Sequence, residues 1–265
     1  MSKTSCKDWS ATRGLGRLLL IGAALVFASA RPALAASFSL TVQPFQMCND
    51  SGTGCGNSAM TLFEAEGDKI WDQAGIDLIF LPWLQINNSA YLDITTDGAT
   101  IATEARNVMT AGTAVNDTAV THAINMFFAP TLDGPGSGLF GLGCGGAVFA
   151  SYCNNQVGVF ISDIVFSYNG GVGRLDTIAH ELGHVLNLEH TSTATDLMAS
   201  GSVRSIPGTI NDIFPDGADF DQLSDAEITE ALGSDYLQPV PEPATLTLLG
   251  LGLLGGALRR RRKVS

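Results

Sequence analysis

The amino-acid sequence predicts a mixed α/β domain of the α+β kind, with a twisted mixed sheet, a central amphipathic helix and a small C-terminal helical subdomain. Three observations lead to this prediction. Short apolar stretches of strand length alternate with segments of helical spacing up to residue 161. Residues 174–186 carry the strongest helical pattern. After an irregular stretch at 191–221, a helix-start signal at Ser224 predicts a closing helix.

The elements before the central helix follow in a simple order. Four segments are predicted to be strands because they are compactly apolar or alternate apolar with polar residues: 37–46, 76–84, 124–128 and 157–161. Two segments have mostly helical spacing and are predicted to be helices: 61–74 and 100–111. A glycine-rich segment at 134–146 separates the last two strands.

Two helices are predicted in the second half of the domain. In the central helix, leucine, isoleucine, alanine and valine residues pack one side while His180 and His184 project together. The closing helix begins with Ser224-Asp225-Ala226-Glu227, which has the pattern of a capping box. In such a box Ser224 accepts from the Glu227 N–H, and the Glu227 carboxylate accepts from the serine N–H.

The first 35 residues have the pattern of a secretory signal peptide. Basic residues precede an apolar run at 18–28, and Ala33-Leu34-Ala35 then provides a small-x-small cleavage site. A membrane-spanning helix is the alternative, but the run has 11 residues and spanning needs roughly 20. We therefore predict export and removal of residues 1–35 by signal peptidase.

Residues 240–265 combine Pro241-Glu242-Pro243, an apolar stretch at 244–258 and a basic cluster at 259–263. This segment resembles the PEP-CTERM sorting signal of Gram-negative bacteria, which is recognised and removed at the inner membrane. The resemblance implies exosortase-type sorting machinery, only transient contact with the membrane, and a mature protein in the cell envelope, the extracellular matrix or the medium. A permanent tail anchor is the alternative. The folded domain is then expected at residues 36–239.

The expected domain is strongly acidic. Its 204 residues contain four basic residues against 24 acidic ones, a formal net charge of −20. Phosphate groups repel such a surface, so nucleic acid and anionic lipid surfaces are excluded as expected partners. A chain of this length suits one domain with a substantial core.

Four cysteines remain after the signal peptide: Cys48, Cys55, Cys144 and Cys153. An even count in an exported protein indicates two disulfides. The four residues allow three pairings, and the short separations favour Cys48 with Cys55 and Cys144 with Cys153. Structural zinc sites generally have shorter gaps between their cysteines, which argues against metal binding here.

The central helix contains His180-Glu181-Leu182-Gly183-His184. A separation of four residues turns a helix by about 400°, so both imidazoles lie on one face and can grip one metal ion. Glu181 follows the first histidine and can reach a water molecule on that metal without itself binding the metal. A solvated helix face is the alternative explanation of these five residues alone.

A third histidine, His190, follows six residues after His184. A straight helix would carry it to the far side, so the chain must turn near Asn187. Asparagine tolerates the left-handed conformation that ends helices, which makes Asn187 the expected bend residue. Met198 follows eight residues after His190.

These residues together resemble the metzincin clan of zinc endopeptidases, whose motif is His-Glu-x-x-His-x-x-Gly-x-x-His followed by a methionine turn. The resemblance implies a metzincin-like fold, zinc bound by His180, His184 and His190, Glu181 as general base, and Met198 as the turn methionine. Asn187 stands where the family has glycine. The position two residues after Met198 holds serine rather than the tyrosine of some families, so a fifth tyrosine ligand is not expected.

The function implied by this resemblance is hydrolysis of peptide bonds in protein or peptide substrates by a metal-activated water. One alternative is a noncatalytic matrix or envelope protein that keeps zinc for stability. Another is a zinc-dependent amidase that acts on nonprotein amides. Among the neighbouring polar residues, Asp196 is expected to form a turn, while His122 and Glu189 are expected outside the site.

Overall fold

The computed structural model describes residues 36–96, 101, 103–116, 122–145 and 151–240. The signal peptide predicted at 1–35 and the sorting segment beyond residue 240 lie outside the described residues. Within the part of the chain that is described, no helix combines the length and apolar character needed to cross a membrane.

The described residues form nine strands and five α-helices. The strands are β1 (Phe38–Cys48), β2 (Ile76–Phe80), β3 (Leu84–Asn87), β4 (Asp93–Ile94), β5 (Ile124–Ala129), β6 (Thr131–Leu132), β7 (Gly141–Cys144), β8 (Gly158–Ser162) and β9 (Gln238–Pro239). The α-helices are α1 (Glu64–Trp71), α2 (Thr103–Val115), α3 (Ile164–Gly171), α4 (Thr177–Val185) and α5 (Asp225–Leu232).

A seven-stranded mixed sheet organises the domain. Its path runs β2-β1-β5-β8-β7, and β3 and β9 also pair with β1. The pairs of β1 with β2, β3 and β5 are parallel, as is the pair of β5 with β8. The pairs β7–β8 and β1–β9 are antiparallel. The mixed α/β fold predicted from the sequence is therefore confirmed.

Helices cover both faces of this sheet. Successive residues of a strand point to opposite faces, and on β5 Met126 and Phe128 lie in one apolar cluster while Phe127 lies in the other. The first cluster includes Trp71 of α1 and Leu182 of α4, and the second includes residues of α2. Helix α4 is thus held against the sheet by one fully apolar side.

The predicted strand 76–84 is two strands. Strand β2 ends at Phe80 and β3 begins at Leu84. Pro82 lies between them, where its missing N–H cannot contribute to a strand ladder. Both strands pair with β1, at Phe38 to Val42 and at Phe45 to Cys48 respectively.

Strand β7 and helix α3 are absent from the sequence-based prediction. Strand β7 lies inside the segment predicted only as glycine-rich, and glycine has a low strand propensity. Helix α3 is interrupted by non-helical backbone from Tyr168 to Gly170. The central helix is also shorter than predicted: it begins at Thr177, and Arg174 lies outside it, just after Gly173 with a φ of 93°.

The chain after α4 forms the small helical subdomain. A 3-10 helix covers Ile210–Asp212, and α5 follows the capping box predicted at Ser224. The Ser224 N–H donates to Glu227 Oε2 at 2.8 Å, and the Glu227 N–H donates to Ser224 Oγ at 3.3 Å. Gln73 connects this subdomain to the segment after α1. Its side chain accepts a hydrogen bond from the Leu223 N–H and donates one to the Asp221 carbonyl.

Candidate metal centre

Helix α4 carries the first two histidines. Ile178, Leu182 and Val185 pack into the apolar core, which turns the opposite side of the helix toward β7 and the residues after α4. His180 and His184 lie one turn apart on that side, with ring centroids separated by 4.8 Å. Both are buried, with 4% of each residue exposed.

Asn187 lies where the chain leaves the helix. Its φ is 77°, in the left-handed region. The Asn187 N–H donates to the His184 carbonyl at 3.1 Å, and the Leu188 N–H donates to the Gly183 carbonyl at 2.9 Å. This pair of hydrogen bonds is a Schellman motif. The chain reverses there and returns His190 to the same side as the helix histidines.

The three histidines converge on one point. His190 Nε2 lies 3.2 Å from His184 Nε2 and 3.3 Å from His180 Nε2. All their candidate ligand atoms lie within 4.8 Å of one another. Two nitrogens bound to zinc at roughly 2.0–2.1 Å with tetrahedral angles would be about 3.3 Å apart. The two separations from His190 therefore fit tetrahedral coordination of one metal ion.

Backbone carbonyls orient two of the rings. The Leu197 carbonyl lies 2.7 Å from His180 Nδ1, and the Leu188 carbonyl lies 2.8 Å from His184 Nδ1. A carbonyl oxygen can only accept, so each Nδ1 carries the proton and each Nε2 keeps a free lone pair. This is the tautomer that a metal requires from an Nε2 ligand.

The environment keeps the three imidazoles neutral. Burial, and then the positive charge of Arg204, lower the pKa of His180 well below its ordinary value. Burial lowers the pKa of His184 to about 4. Burial and Arg204 also lower the pKa of His190. Neutral imidazole is the form that binds a metal ion.

Glu181 lies beside the histidine cluster and is buried, with 6% exposed. Burial raises its pKa to about 7, while Arg204, the N–H of Gly143 and Arg174 act in the opposite direction. Strand β7 lies close to it because the strand has glycines here: a Cβ on Gly141 would be 2.9 Å from Glu181 Oε1. A carboxyl group with this pKa can both accept and return a proton near neutral pH.

Met198 packs against Gly183 of helix α4 and is fully buried. Its N–H donates to Asp196 Oδ1 at 2.8 Å, so Asp196 stabilises the turn that precedes the methionine. The Met198 carbonyl accepts from the Thr191 N–H at 2.9 Å. This last bond ties the methionine turn to the residue that follows His190.

A buried group of four ionisable residues adjoins the cluster, and no local sequence pattern indicates it. Arg204 Nε lies 2.7 Å from Asp176 Oδ2, and Arg174 Nε lies 3.6 Å from Asp176 Oδ1. Asp221 is also fully buried. Asp176 is close enough to it to raise the pKa of Asp221. The sequence held one signal, since Arg174 and Arg204 are two of only four basic residues in 36–239.

Two disulfides are present, Cys48–Cys55 and Cys144–Cys153. They are the pairs favoured by their short separations in sequence. Cys144 ends strand β7, so the second disulfide anchors the strand that lies against α4.

Two polar residues that were expected outside the site, Glu189 and His122, indeed lie outside the cluster. Glu189 is exposed, and so is His122, the remaining histidine of the chain. The histidine cluster is therefore made by residues of α4 and the loop that follows it.

Comparison with known families finds matches to two parts of the chain. Residues 76–191 match the model described as metallo-peptidase family M12B, reprolysin-like. This match includes all three clustered histidines. Residues 239–262 match the PEP-CTERM protein-sorting motif. Among curated protein sequences, none matches the chain.

Two solved structures are similar to the chain at low identity. Metalloproteinase-II from Bacteroides fragilis is 13% identical, with a TM-score of 0.39, and the match covers 77% of this chain and 58% of that protein. The chain thus spans little more than half of that relative's length. A zinc-dependent peptidase from Methanocorpusculum labreanum (strain Z) is 9% identical, with a TM-score of 0.39, and the match covers 71% of this chain and 99% of that one.

The two family matches agree with the two resemblances drawn from the sequence, to the metzincin clan and to the sorting signal. Residues 76–191 are thus similar to the reprolysin-like metallopeptidases of family M12B, and residues 239–262 match the PEP-CTERM protein-sorting motif.

Proposed function

We propose that this protein is an exported zinc endopeptidase in which His180, His184 and His190 bind the metal and Glu181 is the general base. The observation that carries the proposal is the convergence of three neutral imidazoles, with two Nε2 separations of 3.2 and 3.3 Å. Zinc held by three imidazoles supplies a Lewis acid with one open position, which acidifies water and polarises a carbonyl.

Glu181 performs the proton transfers in this proposal. Its carboxylate accepts a proton from the attacking water and returns it to the leaving amine. The pKa of about 7 supports both steps near neutral pH. A bound metal ion would add positive charge beside the carboxylate and favour its ionised form.

Strand β7 supports cleavage within a peptide chain rather than at its end. Strand β7 is the last strand of the path β2-β1-β5-β8-β7 among the described residues, and it pairs with β8. An extended peptide can add to such an edge by backbone hydrogen bonds. Because Gly141 of β7 lies against Glu181, a peptide on this edge would pass the proposed site and continue beyond it.

The expected maturation follows from the two ends. Signal peptidase would release residues 1–35, and exosortase-type machinery would remove the segment from residue 240 onward, leaving 36–239 as the mature domain. Intact mass of the protein from its native host tests this. Retention of the basic cluster at 259–263 would favour a tail anchor instead.

Substitution of Glu181 tests the catalytic proposal. We expect Glu181→Ala to keep one zinc per chain and to lose about 100- to 10,000-fold in cleavage of a peptide blocked at both ends. Loss of zinc from this variant would contradict the assignment of Glu181. A wild-type protein that binds zinc but cleaves no peptide in a broad library would favour a zinc-stabilised structural protein.

A further inference from the structure

Two of the four basic residues in 36–239 are buried in one cavity beside the histidine cluster. Arg174 is 3% exposed and Arg204 is 8% exposed. The cavity, about 210 Å³, is also lined by His180, Glu181 and His190. Sites for drug-sized ligands occupy about 300–1,000 Å³. This cavity is therefore sized for a side chain.

Arg204 makes closer contacts within the protein than Arg174 does. Its Nε lies 2.7 Å from Asp176 Oδ2, and its Nη1 donates to the Leu197 carbonyl at 3.0 Å. The same carbonyl orients His180. Arg204 therefore acts as a structural cation that supports the cluster.

Arg174 is less well satisfied. Its contact with Asp176 is 3.6 Å, and that carboxylate is held more closely by Arg204. Its Nε and Nη2 are buried without a hydrogen-bond partner among the described residues. The guanidinium lies 4.5 Å from the ring centroid of Phe140, whose apolar face excludes water. A buried cation in this state gains from a further anion.

Thr177 provides a second polar group in the same wall. It lines the cavity and is 1% exposed. Its hydroxyl oxygen also lacks a hydrogen-bond partner within the described part of the chain. A hydroxyl beside a guanidinium is a suitable donor pair for a carboxylate.

Three buried carboxyl groups lie near Arg174 and Arg204, those of Asp176, Asp221 and Glu181. Among them, Asp176 is in ion-pair contact with both arginines. Burial, and then Asp176, raise the pKa of Asp221 to about 8, so this group is mostly protonated at neutral pH. Burial and Arg204 also lower the pKa of Arg174, the effect that a bound anion would offset.

We propose that Arg174 and Thr177 form a subsite for the carboxylate of an aspartate or glutamate side chain in the substrate. This inference rests on the proposed peptidase function and names its substrate class. Glu181 lines the same cavity and is assigned the proton transfer to the leaving amine. Cleavage is therefore expected at a peptide bond next to the aspartate or glutamate.

A carboxylate can also come from the C-terminus of a peptide, so the substrates must separate the two sources. We compare peptides with one aspartate against the same peptides with asparagine, each blocked at both ends, and repeat the pair with a free C-terminal carboxylate. A charge-assisted hydrogen bond predicts a kcat/KM about 10- to 100-fold higher for aspartate in blocked peptides. Preference only for the free C-terminus would overturn the side-chain subsite.

Substitution of Arg174 gives the matched variant experiment. Arg174→Gln should remove the aspartate preference while asparagine peptides are still cleaved. Arg106→Gln makes the same charge change on helix α2, outside the cavity, and should keep the preference. Cleavage of the neutral peptide and the zinc content report whether Arg174→Gln is folded. If Arg174→Gln is not folded, the comparison of the two substrates with the wild-type protein decides the question, because it needs no variant.

Binding provides a readout separate from turnover. In the Glu181→Ala protein, labelled aspartate and asparagine peptides are compared by fluorescence anisotropy, with and without the added Arg174→Gln change. We expect tighter binding of the aspartate peptide only when Arg174 is present. Equal binding and equal cleavage of the two peptides would overturn this inference and leave the peptidase intact. Absence of all cleavage by the zinc-loaded wild type would instead contradict the proposed function.

Discussion

The sulfur of Met198 packs directly against the backbone of Gly183, the residue just before His184 in the helix motif. A Cβ placed on Gly183 would lie 2.5 Å from Met198 Sδ and 3.1 Å from its Cε. Both distances are too short for ordinary contact. The helix and the methionine turn can therefore approach this closely only because position 183 has no side chain.

Gly183→Ala is expected to destabilise the domain. Forcing a methyl group into a filled core costs about 1–3 kcal/mol, and the better helix propensity of alanine offsets about 1 kcal/mol of this. We expect a net loss of up to about 2 kcal/mol in the free energy of unfolding, measured with denaturant. Gly208→Ala, at an exposed site with no contact under 3.6 Å, is the control. In a protein that already carries Met198→Ala, Gly183→Ala should cost less free energy of unfolding. An unchanged cost would show that the contact with Met198 is not its cause.

His190→Ala is expected to weaken zinc binding while the fold survives, because His190 is exposed. It removes one of three proposed ligands, so the loss of affinity should exceed the 10- to 100-fold typical of changes to a ligand's hydrogen-bond partner. Competition with a chelator measures this. His122→Ala, an exposed histidine outside the cluster, should bind zinc like the wild type. Equal affinity of all three proteins would remove the three-histidine assignment.

We expect glycine at position 187 to preserve the stability of the domain and a β-branched residue to lower it. Its φ of 77° is left-handed, a conformation that costs most residues roughly 1–2 kcal/mol and glycine little. We expect Asn187→Val to lose at least that much free energy of unfolding and to weaken zinc binding, since the following carbonyl, that of Leu188, orients His184. Asn187→Gly should keep both properties. A valine variant as stable as the glycine variant would contradict this account of the bend.

Asp221 should make the stability depend on pH. Burial raises its folded-state pKa to about 8, above the ordinary 3.8. The folded state then holds a proton that the unfolded state has lost, so this group lowers the free energy of unfolding as pH rises from about 4 to about 8. The slope is at most about 1.4 kcal/mol per pH unit. Asp221→Asn cannot titrate, so its stability should fall less over this range. Parallel pH curves for the two proteins would show that Asp221 does not titrate this way.

The sequence was most informative where the determining physics is local. Spacing along one helix is enough to put His180 and His184 on one side, and the left-handed tendency of asparagine is enough to predict the turn that returns His190. The short separations of the cysteines favour the disulfides found, and the pattern at Ser224 predicts the start of α5. In each case the residues involved are close in the chain, so their geometry follows from backbone dihedrals alone.

The prediction failed where residues far apart in the chain meet. Strand β7 could not be predicted because its glycines lower the strand propensity. Glycine is needed there because helix α4 packs against the strand. Likewise, no local pattern indicates that Arg174 and Arg204 share a cavity with the histidine cluster.

The sequence by itself thus determined the mixed α/β class, the three-histidine set with its neighbouring glutamate, the bend after the helix and the PEP-CTERM motif, while the signal peptide at 1–35 stays a prediction. Only the tertiary structure decided which strand borders the helix, which carbonyls orient the imidazoles, and that two arginines are buried beside them. The reason is physical. Ligand spacing and turn conformation are properties of neighbouring residues, whereas burial, desolvation and ion pairing depend on which distant segments the sheet brings together.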